Sequence, residues 1–482
     1  MTPFANAVIS SLSPWQAAGI SQSRLLDRLN SCAECPYRHQ FTCLKASRSI
    51  PELACQPDAL CPVGRTGWVA ANKFTTLGVY GRSRAVRAAW FLHDLAKGGV
   101  ARYNANLITA LHLADYDIQP VVVVFRTGYQ FDAATAREIR RVCRVVGADT
   151  HPSNQTQYRC FDWVEHCDSA SVYQEAIDTC DVIITAGLTA EMTALPDLDW
   201  KNRPVATQLH GVCDWTRKVV DYSRPFTTQF VAVSRACRDA LSVGPIPVIE
   251  AGLDLNRLVP SADRFTLRHQ ILRTADHALD LDLHTVATES PWLLFLGRFA
   301  PEKGLGRLAE VAAALIRLAG DKSLAVAGQD RLRNTVVLYC GDGWNAASER
   351  AVVRRLLPYR SLFYDWTPAV GDLFTACDLL CCLSTQEGGP LTVIEALASG
   401  LPVLSTPVGL VPTLQVTAPS GTTRFCHVAV GLDEPINRLA EKLALRLSQP
   451  RLDADAVAYV QQRFGLYRFA RQWATLLQDL VP

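Results

Sequence analysis

The stretch EGGPLTVIE, residues 387–395, predicts the fold of the region around it. The residues before it, 379–383, form a short apolar run, which is typical of a buried parallel strand. The glycine pair 388–389 allows a sharp turn, and the proline after it suits the first turn of a helix, where a missing N–H costs nothing. A helix is then expected over residues 392–399, ending before Gly400. The order strand, glycine turn, helix predicts an α/β unit with a parallel sheet.

The start of this helix is a candidate anion-binding site that two carboxylates flank. Unpaired N–H groups and the helix dipole both favour an anion at a helix N-terminus. Glu387 lies before the turn and Glu395 lies two helical turns further on, where carboxylates suit hydroxyl-rich groups such as a sugar or a ribose. The combination of an anion site with carboxylates indicates a nucleotide sugar as the ligand. The alternative is an ordinary helix of a doubly wound sheet with a solvated Glu at each end.

A second strand-to-helix loop carries two cations. Residues 292–296 form an apolar run that predicts a strand, and GRFAPEKG follows at 297–304. Glu302 to Gly304 are expected to open a helix, since apolar residues recur at helical spacing after them. Arg298 and Lys303 lie on this loop and can clamp a diphosphate, the Arg as a planar fork and the Lys as a point charge.

These two loops resemble those of the retaining glycosyltransferases of the GT-B fold, in the large class with an E-x7-E signature, and the resemblance covers residues from roughly 85 to 480. It implies two Rossmann-like doubly wound domains that face each other across a cleft. It also implies transfer of a sugar from a nucleoside-diphosphate sugar. Arg298 and Lys303 would then bind the diphosphate. Glu387 would bind the donor sugar and Glu395 the ribose.

Further matches to this family follow one another along the chain. His210 ends an expected strand over residues 204–208, and the resemblance implies that it orients the donor sugar or donates a hydrogen bond to it. A His that caps the adjacent loop is the alternative. Residues 366–369 are implied to hold the base, mostly through backbone groups. The remaining donor-binding residues that the resemblance implies are Gly98, Gly99, Gly297, Gly341, Trp366, Thr367, Gly388, Gly389, Leu391 and Thr392.

The resemblance also implies a front-face reaction with net retention, in which the leaving diphosphate accepts the proton of the acceptor hydroxyl. The two cations and the N–H groups of Leu391 and Thr392 would stabilise the charge that develops on the diphosphate. The D-x-D match at Asp280 to Asp282 falls in a polar segment, 261–291, between the domains. Donor binding is therefore expected to need neither a metal ion nor another cofactor.

The composition is that of an ordinary globular protein. Its 482 residues are too many for one core, 49% are hydrophobic and 20% are charged. The net charge of +2 indicates neither a nucleic acid nor a strongly acidic partner. The resemblance implies a nucleotide-sugar donor and a glycan, glycolipid or other hydroxyl acceptor as the partners. No apolar run reaches the roughly 18 residues of a spanning helix, and the start shows no signal peptide, so a cytoplasmic protein is expected.

Three regions are expected along the chain. Residues 1–85 are a cysteine-rich extension and connector, 86–258 are a first Rossmann-like acceptor domain with the C-terminal helix 465–482, and 259–464 are a second Rossmann-like donor domain. Four arginines of the first domain recur at helical spacing and would share one face. Such a face suits peripheral contact with an anionic membrane or a lipid-diphosphate acceptor, and a solvated helix face is the alternative. These residues are Arg137, Arg140, Arg141 and Arg144.

The extension holds five of the sixteen cysteines. Its C-x2-C pair gives two ligands the spacing to share one metal ion, and other cysteines can complete four, so a structural zinc ion or an iron–sulfur cluster is one prediction. Free or packed thiols in a reducing compartment are the alternative. The candidate ligands are Cys32, Cys35, Cys43, Cys55 and Cys61.

Two other kinds of function remain open from the sequence. An epimerase or a phosphorylase of the same fold would use the same donor pocket, and an epimerase would need no acceptor. A non-catalytic scaffold would keep the fold and recruit partners through the cysteine-rich extension. The scaffold has no chemical reason to keep both cations and both glutamates together, which favours the enzyme.

Overall fold

The computed structural model describes most of the chain from residue 86 onward, together with three short strands nearer the start. The described residues are 86–93, 95, 97–113, 117–125, 132–143, 145–149, 165–166, 170–190, 198–200, 203–241, 243–321, 323, 326, 328–417, 423–451 and 453–481, with strand residues at 38–39, 42–43 and 48–49.

The metal prediction falls outside the described residues. Of its candidate ligands, only the backbone of Cys43, in a short strand, is described. Among the described residues, no group of three or more His, Cys, Asp or Glu side chains could hold a metal ion. A metal in the extension stays a prediction. The candidate ligands outside the described residues are Cys32, Cys35, Cys55 and Cys61.

Strands and helices alternate through most of the described residues. The strands are β1 (Arg38–His39), β2 (Thr42–Cys43), β3 (Arg48–Ser49), β4 (Arg87–Leu92), β5 (Asp117–Phe125), β6 (Val145–Asp149), β7 (Glu165–His166), β8 (Val182–Ala186), β9 (Val205–Leu209), β10 (Gln229–Ala232), β11 (Asp276–His277), β12 (Trp292–Leu296), β13 (Val336–Cys340), β14 (Ser361–Tyr364), β15 (Leu379–Cys382), β16 (Val403–Ser405), β17 (Gln415–Thr417), β18 (Thr423–Phe425) and β19 (Val428–Ala429). The helices are α1 (Gly99–Leu113), α2 (Ala133–Arg140), α3 (Ala170–Thr179), α4 (Asp214–Ser223), α5 (Arg235–Leu241), α6 (Arg264–Thr274), α7 (Leu283–Thr288), α8 (Leu305–Gly320), α9 (Gln329–Leu332), α10 (Ala346–Leu356), α11 (Val370–Ala376), α12 (Leu391–Ala398), α13 (Ile436–Leu447), α14 (Ala454–Arg463) and α15 (Leu466–Leu480). Short 3-10 turns span Leu255–Leu258, Pro301–Lys303 and Val411–Thr413.

The first large sheet is parallel and has the order β10-β9-β8-β4-β5-β6-β7. Strands β8 and β9 are buried along their whole length, as expected of central parallel strands that are covered on both faces. From β4 the chain first moves to one side through β5, β6 and β7, and then to the other side through β8, β9 and β10. Ligands of open α/β sheets bind at the carboxyl ends of the strands where the order reverses, which here is between β4 and β8.

The second large sheet has the order β11-β14-β13-β12-β15-β16-β19 and is parallel except for the edge pair β11 and β14. Its order reverses between β12 and β15. The two stretches that predicted a ligand site directly follow these two strands, so the sheet places them side by side. Two parallel sheets with helices between their strands confirm the predicted α/β class.

Two observations bear on the predicted membrane contact. The helix that was expected to carry four arginines ends as α2 at Arg140, and β6 begins at Val145. Arg137 and Arg140 lie one helical turn apart on α2 and Arg141 is its C-cap residue, whereas Arg144 lies outside the described residues, so the shared face of all four stays a prediction. Within the described residues, no helix combines the length and the apolar character that crossing a membrane requires.

The loop after β12 differs from the plain strand-to-helix turn that was predicted. Pro301–Lys303 forms a 3-10 turn, and α8 begins only after Gly304. Gly304 has a φ of 75°, and a Cβ there would lie 2.5 Å from the carbonyl oxygen of Leu383. Glycine is required at this position both for the left-handed backbone and for the close approach. The contact holds the loop of the two cations against the loop that leads to Glu387.

The segment between the two sheets contains two helices, α6 and α7, and the short strand β11. Asp282 caps α7 by accepting hydrogen bonds from the backbone N–H groups of His284 and Thr285. Asp280 forms an ion pair with Arg360. Both carboxylates of the D-x-D match therefore have partners within the protein.

The last helix, α15, returns to the first sheet. Trp473 Nε1 donates a hydrogen bond of 3.0 Å to the hydroxyl of Tyr103 in α1, and Phe469 packs against the same ring with centroids 5.0 Å apart. Arg463, at the end of α14, donates a hydrogen bond of 2.9 Å to Glu250, which follows the first sheet. These contacts join the two halves of the chain behind the cleft. The domain boundaries given above stay predictions.

Candidate functional site

The carboxyl ends of the two sheets face one cleft of about 870 Å³. Loops that follow β4, β8 and β9 form one wall, and loops that follow β12, β13, β14 and β15 form the other. These loops from both sheets converge on one cleft. The predicted site residues that line the cleft are Gly98, Gly99, His210, Gly297, Arg298, Lys303, Gly341, Trp366, Thr367, Glu387, Gly388, Gly389, Leu391, Thr392 and Glu395.

Lys303 and Glu387 form an ion pair at the centre of the second wall. Lys303 Nζ lies 2.7 Å from Glu387 Oε1, and each side chain is 18% exposed. The hydroxyl of Ser384 donates a hydrogen bond of 2.9 Å to the same carboxylate oxygen. Among the described residues, nothing donates to the other oxygen, Oε2, of Glu387. One oxygen of this carboxylate is thus held by the protein, and the other is available to a ligand hydroxyl.

Arg298 lies at the rim of the cleft. Its side chain is 48% exposed, and its guanidinium pairs with Glu302 at 2.9 Å, one helical turn along the loop. A surface pair of this kind contributes little to stability, so a diphosphate can recruit Arg298 at small expense. The loop is held from behind, because the N–H of Thr385 donates a hydrogen bond of 2.8 Å to the carbonyl of Glu302.

The helix α12 points its N-terminus into the cleft. Pro390 occupies the N-cap position, one residue before the place predicted for it. The N–H groups of Leu391 and Thr392 lie in the first turn, where a helix offers no internal acceptor. The glycine before them, Gly388, meets the first wall so closely that a Cβ would lie 1.9 Å from the carbonyl oxygen of His210. The start of α12 is therefore seated directly against the opposite wall.

Glu395 is buried at the far end of the cleft and has a cationic partner. Arg257, from the 3-10 turn Leu255–Leu258, lies 3.3 Å from Glu395 Oε1 and donates a hydrogen bond of 3.5 Å to the carbonyl of Pro368. Burial raises the pKa of the Glu395 carboxyl, and the positive charge of Arg257 opposes that rise. Arg257 therefore joins the predicted ribose carboxylate to the loop predicted to hold the base.

His210 lines the first wall and is held by two contacts. Its Nε2 lies 2.7 Å from Gln208 Oε1, and the ring of Tyr103 meets it edge-on with centroids 4.8 Å apart. Burial lowers the pKa of His210 to about 3, so the ring is neutral at physiological pH. His210 as a whole is half-buried and lines the cleft.

The two walls also meet at the glycine loop after β4. A Cβ on Gly99 would lie 3.8 Å from Leu391, so the start of α1 faces the start of α12. The ammonium group of Lys97 lies over the ring of Trp366, 5.5 Å from its centroid, and so links the first wall to the predicted base loop. The hydroxyl of Thr367 accepts a hydrogen bond of 3.1 Å from Ala369 and shapes that loop.

Five residues that contact the predicted site were missed. Two of them stand next to a recognised motif, since Lys97 precedes the glycine pair and Ser384 precedes Glu387 by three residues. The other three carry no signal of their own: Gln208 precedes His210 by two residues, and the remaining two contact the site from other segments. These three are Tyr103, Gln208 and Arg257.

We expect Arg257→Gln to raise the KM for the donor about tenfold and to leave kcat nearly unchanged. The physical reason is that the ribose lies far from the reacting carbon, so its binding stabilises the ground state and the transition state equally. Loss of that binding raises KM without changing kcat. Without Arg257, the buried Glu395 carboxyl retains a proton to higher pH, and a protonated acid is a weaker acceptor. The KM of the variant should therefore rise more steeply than that of the wild type as the pH falls.

Steady-state kinetics as a function of pH measure this effect. Arg438→Gln is the matched control, because Arg438 forms an exposed pair with Glu441 on α13 and does not line the cleft. A fall in kcat at unchanged KM would contradict the assignment of Arg257 to the ribose side.

The comparisons with known proteins agree with this geometry. Residues 282–459 match the sequence model of the family described as "Glycosyl transferases group 1". The lipopolysaccharide core biosynthesis mannosyltransferase LpsB of Rhizobium meliloti (strain 1021) is 28% identical over 244 residues, which are 49% of this chain and 62% of that protein. The D-inositol 3-phosphate glycosyltransferase of Corynebacterium glutamicum (strain R) is 27% identical over 243 residues, 49% of this chain and 52% of that protein. The chain thus spans about half to three-fifths of the length of these curated relatives.

Solved structures show the same architecture. Anabaena Alr3699/HepE in complex with UDP and glucose aligns with a TM-score of 0.56 and 17% identity, over 82% of this chain and 100% of that chain. A glycosyltransferase from Rickettsia africae ESF-5 aligns with a TM-score of 0.58 and 18% identity, over 82% and 99%. These likenesses show the fold, and they confirm the predicted GT-B arrangement of two Rossmann-like domains across a cleft.

Proposed function

The chain belongs to the group 1 glycosyltransferases through its residues 282–459, and we propose that it transfers a sugar from a nucleoside-diphosphate sugar to a hydroxyl of a glycan or glycolipid, with retention at the anomeric carbon. The observation that carries this proposal is the composition of one cleft wall. Two cations, the N-terminus of α12 and two carboxylates, Glu387 and Glu395, line this wall together. This set of groups suits a donor that carries a sugar, a diphosphate and a ribose.

The diphosphate is the leaving group, so its charge must be stabilised as it departs. Arg298, Lys303 and the first N–H groups of α12 supply positive charge and hydrogen bonds for it. Because these groups already supply the charge, the proposed step needs no metal ion. The free oxygen of Glu387 accepts hydrogen bonds from donor-sugar hydroxyls, and Glu395 does so from the ribose.

Retention is proposed to follow a front-face path. The bond between the anomeric carbon and the diphosphate oxygen breaks, and a bond to the acceptor oxygen forms on the same face. The proton of the acceptor hydroxyl passes to the leaving diphosphate. Glu387 and Glu395 form ion pairs with Lys303 and Arg257, and the proposed path uses neither carboxylate as a nucleophile.

The acceptor and the place of action complete the proposal. The first wall, with His210, faces the donor wall and is proposed to receive the acceptor hydroxyl. We propose a cytoplasmic enzyme. A peripheral contact with the inner membrane face would use basic residues such as Arg137 and Arg140, which are exposed on α2.

Binding and product analysis test this proposal. Calorimetry against UDP, GDP, ADP and their sugars, with a chelator present, should show binding of one nucleotide and its sugar, and UDP comes first because HepE holds UDP. NMR of the product should then show the anomeric configuration of the donor. Absence of binding to any nucleotide would refute the transferase. Inversion would refute retention alone, and conversion of the donor without an acceptor would favour an epimerase.

A further inference from the structure

A buried amide pair lies behind His210. Asn104, in α1, and Gln208, in β9, are both almost fully buried. Gln208 Nε2 lies 2.9 Å from Asn104 Oδ1, and Asn104 Nδ2 lies 3.1 Å from Gln208 Oε1. The pair stands directly beneath the cleft, since Gln208 and His210 both line it.

The orientation of both amides follows from one backbone contact. Asn104 Nδ2 also lies 3.0 Å from the carbonyl oxygen of Val100, which can only accept a hydrogen bond. The NH2 group of Asn104 must therefore face Val100, and its oxygen must face the NH2 group of Gln208. The remaining atom of Gln208, the carbonyl oxygen Oε1, is then the one that faces His210 at 2.7 Å.

This oxygen determines which ring nitrogen of His210 carries the proton. Two lone pairs at 2.7 Å would repel each other, so Nε2 must carry a hydrogen and donate it to Gln208. The ring is neutral, because burial lowers its pKa to about 3. Tyr103, whose ring meets that of His210, is also neutral, since burial raises the pKa of its hydroxyl. A neutral ring with hydrogen on Nε2 has a bare lone pair on Nδ1.

We propose that Gln208, held by Asn104, is a positioning residue that keeps the His210 proton on Nε2, so that Nδ1 can only accept a hydrogen bond from a substrate hydroxyl. Among the described residues, no protein group bonds to Nδ1. The role of Nδ1 toward substrate rests on the proposed transfer, whereas the position of the proton does not. His210 is thereby assigned as an acceptor, and the sequence prediction that it donates a hydrogen bond is replaced.

The position of the proton is measured without substrate. In protein labelled with 15N-histidine, His210→Gln identifies the ring signals of His210, and their long-range 15N–1H pattern reports the tautomer. The wild type should show the neutral ring with hydrogen on Nε2 from pH 5 to pH 8. The other tautomer, or a charged ring at pH 7, would overturn the proposal.

Two substitutions of Gln208 separate positioning from packing. Gln208→Met removes both hydrogen bonds with Asn104, whereas Gln208→Glu removes only the bond to Asn104 Oδ1 and keeps an oxygen acceptor for Asn104 Nδ2 and for His210. Gln208→Met should give a mixture of tautomers, whereas Gln208→Glu should keep hydrogen on Nε2 and raise the pKa of the ring. Thr207→Val removes a buried hydroxyl from the same strand and should leave the His210 signals unchanged. A wild-type pattern in a folded Gln208→Met protein would overturn the proposal. If that variant does not fold, the His210 signals of the wild type and of Gln208→Glu test the proposal.

Kinetics test the acceptor role. His210→Asn places a carbonyl oxygen near the position of Nδ1, whereas His210→Gln keeps a polar atom only near Nε2. We expect His210→Gln to lose about tenfold more kcat/KM than His210→Asn, which is the effect of one hydrogen bond. Equal losses would overturn the acceptor role. Failure of the transferase itself would appear instead as absence of nucleotide binding in the wild type, with the tautomer unchanged.

Discussion

Replacing Lys303 with Met is expected to lower kcat/KM about 10²- to 10³-fold. The ammonium group supplies a fixed positive charge where the leaving diphosphate develops negative charge, and the loss of one such group has an effect of this size. Methionine retains most of the side-chain volume, so the loop between β12 and α8 should keep its structure. Steady-state kinetics and calorimetry with the nucleoside diphosphate alone measure the effect. Both kcat/KM and the affinity for the nucleoside diphosphate should fall.

A second variant distinguishes the two contacts that Lys303 can make. Lys303 also pairs with Glu387 at 2.7 Å, so its removal disturbs the predicted sugar carboxylate as well as the diphosphate site. Glu387→Gln should weaken binding of the nucleotide sugar but leave binding of the bare nucleoside diphosphate nearly unchanged. If Lys303→Met also weakens binding of the nucleotide sugar but not of the bare nucleoside diphosphate, then Lys303 only holds Glu387 and does not bind phosphate. Arg317→Met, at the far end of α8, is the control and should be neutral.

Replacing Gly388 with Ala is expected to abolish most of the transfer, with a loss of about 10²-fold or more. The new Cβ would lie 1.9 Å from the carbonyl oxygen of His210 and 2.6 Å from its carbonyl carbon. These are backbone atoms and cannot rotate away, so the start of α12 must move off the opposite wall. A displacement of about 1 Å between reacting groups can reduce a rate about 10²-fold. Overpacking should also lower the free energy of unfolding by about 1–3 kcal/mol.

Thermal unfolding and kinetics on the same samples separate these two effects. Gly320→Ala is the control, because a Cβ at the end of α8 meets nothing within 4 Å. Gly389→Ala gives a graded comparison, since its Cβ would meet side-chain atoms no closer than 3.4 Å. A Gly388→Ala enzyme with wild-type kcat/KM would show that the two walls do not need this contact in the working state.

Much of the fold and the site could be predicted because the signals are local. A strand, a glycine turn and a helix follow one another at residues 379–399, and a similar unit follows β12. Each unit places its chemistry at the carboxyl end of a strand, and parallel strands bring their carboxyl ends to one edge of the sheet. The residues of these two units therefore meet in one cleft, together with the other residues that the family resemblance implied.

Helix ends were less predictable than helix faces. The arginine spacing at 137–144 predicted one helical face; α2 ends at Arg140 with Arg141 as its C-cap, and residue 144 lies outside the described residues. The start of α8 was placed too early because the left-handed backbone of Gly304 depends on its contact with Leu383, which is distant in sequence. This error arose where a tertiary contact competes with local helix propensity.

The sequence by itself determined the fold class and the residues that line the cleft, since both depend on the order and spacing of neighbouring residues. Only the tertiary structure decided how those residues are held. Arg257 pairs with Glu395 across 138 positions, and Gln208 orients His210 only because Asn104, 104 positions away, orients Gln208. Such contacts depend on how helices and strands pack, and no local pattern encodes them. These contacts determine the charge on Glu395 and the position of the proton on His210, which the predicted chemistry requires.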